Sequence, residues 1–590
     1  MLIRRLAALA SLVTFACSSS SMHPTAPPAS PVTAPPAAAS PSAAWNAFAQ
    51  RFLDGYLARS PTSATSAGEH RYDAAWPDLS PPGEASLHAF LTDTRAELAT
   101  MPRAQLDLQQ QLDAEILDNE LSYGLFGLDE LKPRERDPVY YTDLIGLGLD
   151  PLVNRNFGTN ASRLASLLGR LDGIPTLVAI AKQRLAHPPE ANTQTAIQQN
   201  WGLIALVEHE LAARFPDGKA ALASSSQRAA AALRDLQTFL EKDLLPRSDG
   251  SFRLGRERFA KKLGFELQDA VDIDALAQSA HQLLVSTQLE MVATARQIWT
   301  EEKLGALPAL TTPAEQKAFV KHVLDHVANE RSTNQSIVAD AQQWLTQATA
   351  FVREHDLVRI PEEPVRVIEM PEYRRGVAVA YCDSSGPLER TPETFYAISP
   401  TPAEWSQQRA LSFYREYNHA MLADLTVHEA MPGHYLQLMH NNAFASKLRG
   451  VFASGPFVEG WAVYSEWLLA EKGFGGPRVK LERQKMVLRL ATNAILDHDV
   501  HAGQLEEHEA LALMTGEAFQ EEGEAVGKWK RARVTSAQLT TYFYGFTALL
   551  ALRKAEEAKP DFNERRYHDR LLSWGSPAPK FLRRLMATAP

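Results

Sequence analysis

Residues 418–440 read NHAMLADLTVHEAMPGHYLQLMH, and they decide how the rest of the chain is interpreted. Two histidines, His428 and His434, flank Glu429 on a segment whose start has helical character. In the common zinc-hydrolase pattern HExxH, histidines four apart share one helix face and grip one metal. The glutamate beside the first then serves as general base. Here the second histidine comes six positions later, which on a straight helix turns it well off the first one's face. The pattern therefore requires a local distortion, and Pro432-Gly433 supplies its means. Proline removes a backbone donor and clashes with the preceding turn, and glycine adopts backbone angles closed to other residues. The expected form is a bulge that returns His434 to the side of His428. Without it, the helix ends at Pro-Gly and the histidines are unrelated.

The next informative stretch is Phe457-Val-Glu-Gly-Trp-Ala-Val-Tyr-Ser-Glu466. A catalytic zinc takes three protein ligands and a water, and Glu459, on a following helix, is the candidate third ligand. Glu466 lies seven residues on, hence on the same face. Phe457, Trp461, Tyr464 and Trp467 surround both acids with aromatic bulk, which disfavours a fully exposed helix. Further on, Tyr542 and Tyr544 each could donate a hydrogen bond to an oxyanion, or be core residues. Asp424, four before His428, could orient its imidazole or be a surface acid. His501, in the polar cluster 497–501, could line the cleft. Arg531 and Arg533 could hold a peptide carboxylate by a bidentate contact, although arginines on helices are commonly surface charge. Cys382 has no arranged His/Asn partner and reads as a quiet buried thiol. The chain carries neither a glycine-rich phosphate loop nor a G-x-S-x-G elbow.

Around this centre the pattern is helical. Leu108, Leu112, Ile116, Leu117 and Leu121, and again Leu164, Leu167, Leu168 and Leu171, recur at helix spacing. Residues 364–399 differ. Val365 and Val367, then Val377, Val379 and Tyr381, alternate; Thr394 to Ile398 is β-prone; Asp383 to Pro387 has turn chemistry. A small sheet inserted in a mainly α protein is expected, followed by long helices to the C-terminus.

The N-terminus reads as an export signal. Arg4 and Arg5 precede an apolar run, Leu6 to Phe15, too short to span a membrane, and Ala16-Cys17 resembles a lipobox. Residues 1–17 are expected to be a lipoprotein signal peptide with Cys17 as the lipidated residue. Residues 18–43, rich in Ser, Pro and Ala, are expected to form a disordered tether, and 44–590 one helical domain. That implies a cell-envelope protein held to the membrane by its lipid. A net charge of −10 argues against nucleic acid, whose phosphates need a basic surface.

The string from His428 to Gln437, with Tyr417-Asn418, Glu459-Gly-Trp-Ala, Gln538-Leu-Thr-Thr-Tyr542, Phe252-Arg-Leu-Gly255 and Gly376 to Cys382, resembles the bacterial domain-of-unknown-function 885 family. The resemblance covers about residues 45–585. That family in turn resembles the gluzincin peptidases, above all the thimet-oligopeptidase and helical-carboxypeptidase groups. In the oligopeptidase pattern a Phe-Val-Glu stretch carries the third zinc ligand, with another glutamate seven residues later, matching Glu459 and Glu466. The two-residue excess over HExxH is the departure. The resemblance implies a large helical gluzincin-like fold with a small β element beside the cleft. It also implies one zinc per chain on His428, His434 and Glu459, Glu429 as base, Tyr542 or Tyr544 at the oxyanion, and a peptide substrate. Two other functions fit the same residues: a catalytically silent binding or scaffold lipoprotein, and a zinc hydrolase of non-peptide amides or esters.

Overall fold

Helix starts along the chain are set by local chemistry. Asp107 accepts a hydrogen bond from the Gln110 amide (2.9 Å) while the Gln110 side chain returns one to Asp107 N, a reciprocal cap that opens Leu108–Phe126. Thr312 and Glu315 do the same for Pro313–Val327. The structure, a computed structural model, describes residues 40–370, 379–390, 392–402 and 405–588. The expected signal peptide, Cys17 and most of the expected tether lie outside these residues. The tether boundary moves, because Pro41, Ser42 and Ala43 already belong to the helix Pro41–Arg59. Ser40 caps that helix by accepting from Ala43 N, and proline fits its first turn, where no amide donor is needed.

The protein is mainly helical, with three strands among the described residues. The apolar periodicities become buried faces. Leu112, Ile116, Leu117 and Leu121 are buried in one core with Trp45, Phe48 and Phe52, together with Phe452 and Phe581 from far along the chain. Leu167 and Leu171 enter a second core built by helices between residues 138 and 244. Among the described residues, Asn160–Arg184 is the one helix long and apolar enough to cross a membrane. It buries Arg163 and Arg170 along with its leucines, as a core helix does. The largest core joins the two longest helices, Ile273–Glu301 and Gly476–His501, to the helices that carry the histidines and Glu459.

The strands are β1 (Val365–Glu369), β2 (Ala380–Ser384) and β3 (Thr394–Ile398), in the order β1-β3-β2. β1 runs parallel to β3, and β2 antiparallel to it with Cys382 opposite Tyr396. Of the expected β positions, Val377 lies outside the described residues. Asp383 and Ser384, read as turn, extend β2 instead. Opposed residues share a sheet face. Tyr396 and Cys382 therefore face the first histidine helix, where the Tyr396 hydroxyl meets Thr426 Oγ1 at 3.2 Å. Tyr381, Asp383 and Phe395 face the other way and wall a cleft of about 990 Å³ against residues 150–214.

One buried contact predicts the acid behaviour of the fold. His568 is fully buried, accepts from the Tyr464 hydroxyl (2.8 Å) and donates from Nδ1 to Leu357 O (2.7 Å). Burial brings its pKa down to about 4. Between pH 6.5 and 4 the unfolded chain binds a proton there that the folded chain does not, so stability falls as pH falls through that window. The loss is about 3 kcal/mol in all. Urea midpoints between pH 7 and pH 4.5 should drop accordingly, and His568→Gln should flatten that limb. An unchanged slope would place the titrating group elsewhere.

Candidate metal centre

The HEAMPGH element is a break between two helices. The expected bulge within a single helix does not form. His419–Glu429 is capped at its start by Asn418, whose Oδ1 accepts from Ala420 N and Met421 N (3.1 Å each). It ends at Glu429, and His434–Asn442 begins a new helix directly after Gly433. Proline at 432 cannot continue the ladder. The turn is tied down by Gly433 N donating to Val427 O (3.0 Å) and by Trp461 Nε1 donating to Pro432 O (2.8 Å). Two helix ends thus meet, one offering His428 in its last turn and the other His434 in its first position.

Glu459 comes from Gly455–Glu471, which crosses the helix Thr540–Glu557 backbone to backbone at Gly460 and Gly545. A Cβ on Gly460 would lie 2.5 Å from Gly545 C, and one on Gly545 1.9 Å from Pro456 O. Only glycine allows this approach, and it brings Tyr542 towards Glu459.

The ligand atoms of His428, His434 and Glu459 all lie within 4.8 Å of one another. Glu459 Oε2 is 3.8 Å from His428 Nε2 and 3.5 Å from His434 Nε2. These separations exceed a good hydrogen bond. They are close to the edge of a tetrahedron around zinc, about 3.3–3.4 Å for ligand bonds of 2.0–2.1 Å. The three side chains keep 12, 11 and 22% of their exposure, so a small molecule can reach them. The other nitrogen of His428 is taken: Nδ1 lies 2.5 Å from Glu466 Oε1, and Glu466 is 1% exposed. A carboxylate on Nδ1 fixes the tautomer and leaves Nε2 with its lone pair towards Glu459. Among the described residues His434 Nδ1 is buried with no hydrogen-bond partner, so none of them orients that ring as Glu466 orients His428. This donor set, two imidazoles and a carboxylate with one nitrogen pre-oriented, fits a single zinc.

The electrostatics tie the three groups together: burial acts to lower the His434 pKa, but Glu459 outweighs it and the pKa is raised. Burial, then His434, brings the His428 pKa down to about 4, so the ring is neutral at pH 7. Burial acts to raise the Glu459 carboxyl, but His434, His428 and Arg531 outweigh it and hold it at about 2. Burial pushes Glu466 up to about 7 against the pull of Arg483. Glu429 is buried and acts electrostatically on both histidines, as well as on Cys382 and Tyr396. Cys382 is thus a neighbour of the centre, and burial pushes its thiol up first, Glu429 next.

The remaining candidates divide. The Tyr542 hydroxyl oxygen accepts from Arg531 Nη2 (3.3 Å) and Gln538 Nε2 (3.5 Å), and Tyr542 and Arg531 both act on Glu459. Tyr544 is directed elsewhere and donates to Asp269 (2.5 Å) in a separate core. Arg533 lies over the Trp529 ring, away from Arg531. In both pairs a two-residue step turns the side chains to opposite sides of the helix. Asp424 does not hold an imidazole. It is buried beside Glu466 and Arg483, and burial raises its carboxyl. His501 holds Ala532 O (2.9 Å) and Thr535 O (2.8 Å) at the end of the helix Glu522–Val534. Three residues at the centre escape a reading of the sequence. Arg489 acts on His428 and Glu466, Arg483 on Glu466, and Gln538 steadies Tyr542. The arginines sit in charged runs that look like solvated helix faces. Gln538 alone belongs to a recognisable string.

A family model described as "Bacterial protein of unknown function (DUF885)" matches residues 61–586. A solved structure described as a candidate lipoprotein of unknown function from Shewanella oneidensis is 29% identical. It matches with a TM-score of 0.76 over 92% of this chain and 100% of its own. A candidate lipoprotein from Colwellia psychrerythraea, 16% identical, has the same fold: its TM-score is 0.76 over 92% of this chain and 98% of its own. No curated protein matches the chain.

Proposed function

The chain belongs to the bacterial DUF885 family, and for this member we propose zinc-dependent hydrolysis of peptide bonds in exported or cell-envelope peptides, on a gluzincin-like scaffold. The observation that carries the reading is the convergence of His428, His434 and Glu459 within 4.8 Å, with Glu466 on the far nitrogen of His428. Zinc bound there would supply a Lewis acid and lower the pKa of its water towards neutrality. Glu429 takes a proton from the attacking water at its carboxylate and returns it to the leaving amine. Because the Tyr542 oxygen accepts from both Arg531 and Gln538, its own proton is left to donate to the developing oxyanion. β2 is an edge strand beside the histidine helices, and an extended peptide could add to it. The leader ending at Cys17 and the lipoprotein descriptions of the solved neighbours support attachment at the cell envelope.

Metal content tests the reading. The chain purified without chelator should carry about one zinc by plasma emission. His428→Ala should carry almost none, and Glu466→Gln should bind zinc about 10–100-fold more weakly. Wild-type chain that takes up no zinc even when it is supplied would sink the proposal. A mixed-peptide library read by mass spectrometry, run beside ester and amide panels, decides the substrate class.

A further inference from the structure

The helix Glu522–Val534 leaves two of its basic groups, Lys528 and Arg531, without an acid partner among the described residues. On the helix Glu522–Val534, Glu524, Lys528 and Arg531 follow at spacings of four and three and share a face. Glu524 is engaged by Arg489 and by the Tyr417 hydroxyl (3.2 Å). Glu416 is engaged by Lys485 (2.9 Å), with Arg489 at 3.8 Å. Once these pairs are made, Lys528 and Arg531 have no carboxylate in contact among the described residues. Arg531 bonds only neutral groups, Gln538 Oε1 (2.6 Å) and the Tyr542 oxygen, and both bonds leave from Nη2. Its Nε and Nη1 have no hydrogen bond among the described residues. Lys528 is 6% exposed and makes no hydrogen bond or ion pair among the described residues. Burial, then Arg489 and Arg531, drive its pKa far down, and only Glu416 opposes them. A buried lysine with no counter-ion sheds its proton, and a carboxylate arriving beside it restores the ammonium. Arg531 also acts on Glu459 and bonds the Tyr542 oxygen, which ties it to the metal centre, and Lys528 lies one turn earlier on the same helix face.

We propose that Lys528 and Arg531 receive a substrate carboxylate, the free C-terminus of the peptide, so that the enzyme trims a short fragment from that end. Arg531 offers the planar fork that a carboxylate fits, and Lys528 a point charge beside it. This inference rests on the peptidase reading above.

The test uses zinc-supplemented full chain carrying Glu429→Gln. Fluorescence polarisation measures one labelled pentapeptide as free acid, as C-terminal amide, and as amide with a penultimate glutamate. The acid should bind at least about tenfold tighter than either amide, a difference typical of one buried charged contact. Lys528→Gln and Arg531→Gln should each bring the acid-to-amide ratio towards one, while Lys528→Arg keeps it. Equal binding of acid and amide overturns the pocket, and recovery by the glutamate amide overturns its assignment to the C-terminus. Cleavage of the same peptides by wild type separates the two claims. Selective binding with no cleavage sinks the peptidase reading and leaves the pocket. Equal cleavage of acid and amide sinks the pocket and leaves the peptidase.

Discussion

Glu429→Gln should leave the zinc content of the chain unchanged and lower kcat/KM on peptides by about 10²–10⁴-fold, the usual worth of a positioned general base. Glu429 closes the helix His419–Glu429 next to His428, yet it is not among the three residues whose ligand atoms converge. It is 8% exposed and lies within electrostatic reach of both imidazoles. Glutamine keeps the shape and removes the basicity. Glu459→Gln should behave in the opposite way, because it weakens an oxygen of the donor set and so lowers zinc content along with rate. Zinc content and peptide cleavage, measured on both variants, separate the roles. Loss of zinc in the Glu429 variant would make it a ligand. Unchanged cleavage in both would place the chemistry elsewhere.

Gly433→Ala should abolish zinc retention and destabilise the fold by about 3 kcal/mol or more, at the upper end of overpacking. Gly433 has a negative φ, −71°, and the obstacle to a side chain is space. A Cβ there would lie 1.9 Å from His428 O and 2.3 Å from Val427 O. Both are main-chain atoms of the helix that carries His428, and the turn cannot yield without moving that histidine or His434. Gly523→Ala is the control, since a Cβ there has nothing within 4 Å. It should leave zinc binding and the melting temperature within the range of an ordinary surface change. A Gly433→Ala chain with wild-type zinc content would mean that the turn does not set the spacing of the histidines.

Much of the architecture was open to inspection in the residues. The leucine spacings around 112 and 167 marked real helices because a helix face buries every third or fourth residue. Thr394 to Ile398 was readable as a strand because it is β-prone throughout, and all five residues are buried. The misjudged points share one cause. A bulge was expected at Pro432-Gly433, yet the chain stops one helix and starts another. That choice depends on Trp461 and Val427 holding the turn, and Trp461 is distant in sequence. Tyr542 and Tyr544 were equivalent by composition, as were Arg531 and Arg533. The packing of each helix gave one member of each pair to the centre and the other to a different neighbour.

The sequence by itself determined a mainly helical protein with a small sheet and a short set of candidate metal ligands. These follow from periodicity and from side-chain chemistry, which are local. Only the tertiary structure decided which of those residues meet. The close crossing at Gly460 and Gly545 brings Tyr542 to Glu459, Glu466 rather than Asp424 takes the far nitrogen of His428, and Lys528 is buried with no ion pair among the described residues. Each outcome is set by contacts between segments far apart in the chain, where steric fit and the cost of unpaired buried charge outweigh any local preference.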